Sequence, residues 1–451
     1  MGPLGRFPGR LPGSPAGPLA ALLASLLPAL QVALLAGCAA PSGSTGRGLG
    51  GQHSGAPYPP SRFITGAQWD FSLLVSHRKA IGSDLWPCAW ARDGELYCAW
   101  GDGGGFDGNS DTVGRVSLGF ARVAGVPDAA NPDAVTGRNV WGDAPEYAEH
   151  PATFGGKVTS MVCVGGTVFA HGDLWLGEPA DSVQRGGGGP VHTRLWSTDL
   201  GQTWQVAPWK DEWSQSFVDF GRDNASAPGD FVYIYYTRPQ GTQRVYLKRI
   251  AAAALRAEPT SREFEYFRGM GWFGRPRAWS REETRARPVF VDQNGTDVQA
   301  VYDVPLGRYL LTSGHVPVGQ GIAAHTAASP VTAATAASAA TAANAATAAN
   351  AAMAANAATA AAASAGSLPQ AGRVGLFEAP QPWGPWHTVG YYENWGDLGD
   401  RPDHEYLGLH LPAKWISPQG TSLWALFSSV DDYDSFNLVK LTLTVSTTER
   451  R

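Results

Sequence analysis

Short runs in which apolar and aromatic residues alternate with small or polar ones recur along the chain. Each begins at or beside a glycine. "DGELYCAW" starts at Asp93, "GGTVFAHG" at Gly165, "GDFVYIYY" at Gly229, "LGRYLLTS" at Leu306 and "QGTSLWALFSS" at Gln419. A period of two marks strands, and a glycine ahead of such a run supplies the turn. Another apolar run precedes each one, so every stretch predicts a hairpin. The turn glycines stand at positions 94, 166, 229, 307 and 420, spaced by roughly 60–80 residues except for the last. That last interval contains an Ala/Thr/Asn tract from about residue 323 to 372, "AATAASAATAANAATAANAAMAANAATAAAASAG". Alanine favours helix, but the tract has neither an apolar stripe nor charge and reads as an excursion between strands. Without it, five units of about 65 residues remain.

Five strand-bearing units predict an all-β fold, a five-bladed β-propeller with an Ala-rich insertion. Composition agrees. The 451 residues include 56 Gly, 33 Pro, 17 Trp, 14 Tyr and 17 Phe, with 16% charged residues, a balance suited to turns and strands. A formal net charge of −5 argues against nucleic acid as a partner. "LWSTDLGQTW", residues 195–204, places Ser197, Asp199, Gly201, Thr203 and Trp204 in the order S-x-D-x-G-x-T-W. The spacing suits a tight turn in which Asp199 bonds backbone two residues on and Gly201 takes a positive φ. It resembles the Asp box of sialidases and other propellers, whose aspartate holds an outer turn and does no chemistry.

The N-terminal segment changes the expected location. Arg6 and Arg10 precede an apolar run from Leu19 to Leu35, interrupted by Pro28 and Gln31, which reads as a secretory signal rather than a membrane span. It ends in "LAGC" at Cys38, which resembles a bacterial lipobox. In that resemblance Cys38 is lipidated, and Ala39 after it directs the protein to the outer membrane of a Gram-negative envelope. The expected division is a signal peptide at 1–37, a Gly/Ser/Pro-rich tether at 38–65 and the propeller at 66–451. Cys88, Cys98 and Cys163 remain. Cys88 and Cys98 flank a hairpin and can pair across it, or all three can be buried thiols.

The motifs "WARDGELYCAWGDGGGF" (90–106), "FGGK" (154–157), "EAPQPWGPW" (378–386) and "KWIS" (414–417) together resemble a family of secreted bacterial propellers known as a domain of unknown function, among whose members are endo-D-arabinanases. The resemblance runs from about Gly66 to the C-terminus and implies a polysaccharide or glycoconjugate substrate. A looser similarity is to five-bladed arabinanases and xylosidases, in which an Asp opens the innermost strand of the first blade and a Gly-x-Tyr-Tyr hairpin follows. Here Asp84 precedes Gly94 and Tyr97.

Counting back from each turn glycine to the start of the inner strand selects Asp84, Lys157, Asp219, Asp297 and Lys414. Glycoside hydrolysis requires one carboxylate as base or nucleophile and one protonated acid. Crowded carboxylates raise one another's pKa and can supply that acid. Asp84 is the expected base or nucleophile and Asp219 a tuning or orienting group, while Asp297 and Glu378 compete as acid. Lys157, Lys414 and Asp102 are expected to bind substrate, with Trp383 and Trp386 stacking on a sugar face. Asp102 and Asp107 lie in "WGDGGGFDGNSD", a loop that can fold over the funnel or bind Ca²⁺, although its spacing is not that of an EF-hand. No other cofactor is expected. His150 and His171 fall near loops and are not read as ligands, and the acidic stretch 430–437 reads as a solvated loop.

The favoured expectation is a monomeric, lipid-anchored cell-surface glycoside hydrolase. One alternative is a non-catalytic glycan-binding propeller on the same anchor. The other is a sialidase-like exo-glycosidase, which would need an arginine cluster drawn from Arg78, Arg92, Arg238 and Arg308.

Overall fold

The computed structural model describes residues 54–448 apart from 74–77, 107–114, 143–150, 177–190, 212–213, 239–240, 272–275, 278, 316–372, 396–405 and 430–433. The signal segment with Cys38, the Ala-rich tract, Asp107 and His150 lie outside the described residues. Every described residue belongs to one compact unit, Leu49–Arg451.

The chain is almost entirely β. Its strands fall into groups of four, each antiparallel and laid down in chain order. The first group is β2 (Asp84–Trp90), β3 (Leu96–Gly101), β4 (Leu118–Gly125) and β5 (Val135–Trp141). The second is β6 (Gly155–Val164), β7 (Thr167–Trp175), β8 (Val191–Ser197) and β9 (Gln205–Val206). The third is β10 (Gln215–Asp219), β11 (Phe231–Arg238), β12 (Gly241–Ala251) and β13 (Glu265–Tyr266), with β14 (Pro288–Val291) also paired to β12. The fourth is β15 (Gly295–Asp303), β16 (Arg308–His315), β17 (Val374–Ala379) and β18 (His387–Tyr392). The fifth runs β19 (Tyr406–His410), β20 (Ser422–Ser429) and β21 (Asn437–Val445), and β1 (Ile64–Asp70) from the other end of the chain pairs antiparallel with β21. A short parallel pairing, Val218 to Ala300 and Asp219 to Val301, joins the third and fourth groups into one nine-stranded sheet.

Packing explains this arrangement. β3 and β17 are buried along their whole length and on both faces, while β21 alternates buried and exposed residues towards its end. A strand apolar on both faces needs cover on both sides. Each group obtains that cover from its neighbours. One buried cluster joins the first and second groups (Tyr97, Phe120 and Trp141 with Phe154 and Met161). Others join the second to the third, the third to the fourth and the fourth to the fifth. A further cluster sets Trp86, Leu96 and Trp100 of the first group against Trp424, Leu426 and Phe436 of the fifth. The contacts therefore return to where they began.

The folded region starts earlier than the expected boundary at 66. Tyr58 packs with its ring centroid 5.2 Å from that of Phe290 and its hydroxyl accepts from the Val291 N–H at 2.7 Å, and Ser61 donates its N–H to the Thr388 carbonyl. The Pro/Gly-rich composition around them hides these anchors from a compositional reading.

Two ends can be told apart. The first two strands of each group meet at one end, where Gly94, Gly166, Gly229, Gly307 and Gly420 all have positive φ. Connections there include 165–166 and 304–307. The opposite end, where β2, β6, β10, β15 and β19 begin, carries the long connections 102–117, 142–154, 176–190 and 316–373. Among the described residues, no helix is long and apolar enough to cross a membrane.

The Asp-box stretch is the β8–β9 turn, at the glycine-turn end. Ser197 Oγ donates to Asp199 Oδ1 at 2.7 Å and accepts from the Gly201 N–H at 2.7 Å. Asp199 also accepts from the Thr203 N–H at 2.9 Å and the Thr203 hydroxyl at 2.6 Å. Burial alone would raise the Asp199 pKa, but these bonds together bring it below the ordinary aspartate value. Trp204 donates to the Gly201 carbonyl and stacks on Phe120 of the first group, centroids 3.9 Å apart. Asp199→Ala is expected to cost about 1–2 kcal/mol through the lost hydrogen bonds. Denaturant unfolding should show that loss, with ligand binding in the folded protein unchanged.

Candidate functional site

At the end carrying the long connections, four charged side chains meet. Asp84 is the first residue of β2, Lys157 the third of β6, and Asp102 and Arg115 lie in the connection after β3. Lys157 Nζ is 3.2 Å from Asp84 Oδ1 and 2.9 Å from Asp102 Oδ2, and Arg115 is 3.2 Å from Asp102 Oδ2. One ammonium touching both carboxylates holds their oxygens within roughly 6 Å of each other. All four side chains keep between 15% and 29% of their surface in solvent, so the cluster is shielded yet reachable.

The local backbone is built to present Asp84. Leu85 and Trp86, which follow it, both have positive φ, and the β2–β3 register shifts between Leu85 and Cys88. Such irregularities re-aim side chains and cost free energy that the surroundings must offset. Here Trp86 is fully buried against Trp100, Phe106 and Phe436, its ring N–H bonded to the Ser83 carbonyl, and Ser428 Oγ accepts the Leu85 N–H. Gly101 is equally constrained, because a Cβ there would collide with Asp84 Oδ1 and Lys157 Nζ. Burial raises the Asp84 pKa above the ordinary aspartate value. Lys157 opposes that rise and Asp102 adds to it.

A cavity of about 30 Å³ lies where residues of all five groups meet. Its polar lining comes from every group: Cys88, Ser160, Asp219, Gln299 with Thr312, and His410. His410 donates a ring N–H to the Leu85 carbonyl, and burial lowers its pKa to about 4.

The residues selected from the sequence divide between the two ends. Asp84, Lys157 and Asp102 come together. Asp297 lies at the same end, on β15, and accepts from the Thr296 hydroxyl at 2.9 Å, with its pKa raised by burial. No hydrogen bond or ion pair joins it to Asp84 among the described residues. Asp219 is at the far end of β10, level with Val301 and so four residues beyond Asp297, on the order of 13 Å along the strand. Its two oxygens accept the Gly221 and Ala413 N–H groups at 2.8 and 2.9 Å, and burial raises its pKa despite those bonds. It closes the floor of the cavity and does not orient Asp84.

Lys414 is also at the far end. It pairs with Glu95 at 2.7 Å, because β19 ends at His410 and the expected strand start falls after it. Glu378 sits on β17, third in its group, and is 2% exposed. It pairs with Arg308 at 3.2 Å and accepts the Ser61 hydroxyl at 2.7 Å. Trp386 is 3% exposed among Tyr235 and Phe290, and Trp383 stacks on Phe267 at 5.2 Å. Both tryptophans are packing elements of the glycine-turn end, and neither is placed to stack on a sugar beside Asp84. Asp102, expected to bind substrate, is held by two cations, which disfavours the Ca²⁺ alternative for its loop. Cys88 and Cys98 stand directly opposite each other, and the three described cysteines are free thiols.

The arginines required by the sialidase-like reading are dispersed. Arg92 pairs with Asp223, Arg238 with Glu283 and Arg308 with Glu378. Two site residues escaped the sequence reading. Arg115 lies beyond a Gly/Asp-rich loop with no spacing signal, and His410 carries no motif.

No protein-family model matches the sequence, and no curated protein matches it. The solved structures to which the chain shows similarity include glycoside hydrolases. The α-L-arabinofuranosidase PaAbf62A from Podospora anserina, in complex with cellotriose, is 9% identical at a TM-score of 0.38, covering 85% of this chain and 99% of its own. The family 117 glycoside hydrolase Zg3597 from Zobellia galactanivorans is 8% identical at 0.37, with 86% and 92% covered. The GH43_1 enzyme from Xanthomonas citri, complexed with xylotriose, is 12% identical at 0.36, with 84% and 93% covered. At these scores the likeness carries no conclusion about activity.

Buried imidazoles make stability depend on acid. Burial lowers His410 to about 4 and His171 to about 3, against 6.5 when unfolded. The unfolded chain therefore binds more protons below about pH 6.5, and both contributions shrink as pH falls towards those values. Replacing His410 by Gln should flatten the fall in denaturation midpoint between pH 6.5 and 4 relative to the parent protein.

Proposed function

We propose that this chain is a five-bladed β-propeller glycoside hydrolase that cleaves a glycosidic bond of a complex glycan at the open end of its axis. The observation that carries the reading is the Asp84–Asp102 pair bridged by Lys157. The raised pKa of Asp84 suits it to proton donation at the leaving oxygen, the reverse of the base or nucleophile role expected from sequence. Asp102, set between Lys157 and Arg115, supplies the carboxylate facing the positive charge that develops at the anomeric carbon. The two contacts to Lys157 Nζ cap the separation of the Asp84 and Asp102 oxygens at roughly 6 Å, below the inverting range of about 6.5–9.5 Å and compatible with the retaining range of about 5–5.5 Å. Retention of configuration is therefore the expected outcome, with an arabinan-type polysaccharide the first substrate to try. The rest of the reading is a monomer, lipidated at Cys38 and held at the bacterial cell envelope.

A second reading has its own support. Lys157 already engages both carboxylates and Arg115 engages Asp102, as they would in a propeller that binds a glycan without cutting it. One experiment separates the two. The Leu49–Arg451 unit is incubated with D-arabinan, L-arabinan and sialylated glycans, and released sugars are read by chromatography. Hydrolysis that falls by roughly a hundred- to ten-thousand-fold in Asp84→Asn, with products of retained configuration by proton NMR, supports the enzyme. Binding to one of these glycans without release supports the binding module.

A further inference from the structure

The third group carries a concentration of charge that the axial site does not use. Residues 238–287 contain eleven arginines and one lysine against five glutamates, in a chain whose net charge is −5. Most of these glutamates already have partners: Glu263 pairs with Arg281, Glu265 with Arg249, Glu282 with Arg285 and Glu283 with Arg238. Arg244, Arg268, Arg277 and Arg287 have no acidic partner among the described residues.

Three of these four lie together. Tyr266 and Ser280 exchange backbone hydrogen bonds of 2.7 and 3.0 Å, Met270 bridges to Pro276, and Arg277 donates its N–H to the Gly269 carbonyl at 3.1 Å. Arg287 donates its N–H to the Phe267 carbonyl, and its γ-carbon lies 3.3 Å from where a Cβ on Gly269 would be. Arg277 and Arg287 thus lie beside Gly269, which Arg268 immediately precedes. Arg277 and Arg287 are exposed and Arg268 is half-buried. Met270, among the arginines, leaves 44% of its surface in water.

We propose that this face docks on a phospholipid bilayer with anionic headgroups. Guanidinium groups match phosphate oxygens in paired hydrogen bonds, and like charges held together repel until a counter-charge arrives. An exposed apolar side chain within a basic cluster is the pattern of a segment that rests at the headgroup boundary, the arginines on phosphate and the thioether below them. Met270 favours a bilayer over an acidic polysaccharide, which offers no apolar layer to receive it. This docking is independent of the hydrolase reading.

The Leu49–Arg451 unit contains every described strand and core residue and omits Cys38, so no acyl anchor can carry it to lipid. It is sedimented with vesicles of equal phosphatidylglycerol and phosphatidylcholine, and with phosphatidylcholine alone. Binding to the anionic vesicles only, weakened by salt, is expected. The variant R268Q/R277Q/R287Q should bind about a hundredfold more weakly, at about fivefold per arginine, with its thermal midpoint kept as a folding control. If that variant melts early, the exposed single change Arg277→Glu replaces it and should still weaken binding at least fivefold. No binding to anionic vesicles, or equal binding by parent and variant, overturns the proposal. Tighter binding to polygalacturonate than to vesicles overturns it in favour of an acidic-glycan track.

Discussion

Strands that are apolar on both faces impose the architecture. β3 and β17 expose nothing on either side, so each sheet requires a neighbour in front and another behind. A row of such sheets would leave two bare faces. The contact between Trp86 and Phe436, first group against fifth, removes both at once. β1 adds to this by pairing with β21 across the whole length of the chain, so the two ends of the sequence complete one sheet. The inner strands then share a direction, and everything that distinguishes the two ends follows from it.

At one end tight glycine turns are tied to one another. Asp223 accepts the Gly166 N–H and pairs with Arg92, Asp219 accepts the Ala413 N–H, and Lys414 pairs with Glu95. These bonds cross from group to group and tie the glycine-turn end together. The other end carries the long connections, and there Lys157 ties the second group to the first and the Leu85 N–H bonds Ser428 of the fifth. Lys157 stands at that end because β6 begins beside β2, and its single ammonium gathers Asp84 and Asp102 from different parts of the chain. A fixed scaffold with variable loops at one end is a recurring basis for binding and catalysis.

Much of the frame was legible in the sequence because its signals are local. Five turn glycines preceding alternating strands, and the spacing of Ser197, Asp199 and Trp204, each depend on residues a few positions apart. The site was legible in part. Asp84 and Lys157 follow from counting back along strands of ordinary length. The same counting failed for Asp219 and Lys414: the connection 220–230 takes up the count back from Gly229, so Asp219 falls at the end of β10, and β19 finishes before Lys414. Glu378 and Trp386 misled because a carboxylate and an indole near prolines look exposed. Their burial depends on Arg308, Tyr235 and Phe290, which lie far away in sequence. Arg115 could not be found at all, since nothing in the sequence signals its contact with Asp102, thirteen positions earlier.

The central claim is that burial, with Asp102 beside it, makes Asp84 hold its proton more readily than an exposed aspartate even though Lys157 touches it. Carbon-13 NMR titration of the Asp84 side-chain carboxyl, in the parent protein and in Lys157→Met, tests this directly. A midpoint above the ordinary aspartate value that rises further when Lys157 is removed is the predicted result. A midpoint at or below that value in the parent protein would contradict the account and leave Asp84 as the anion of a structural ion pair.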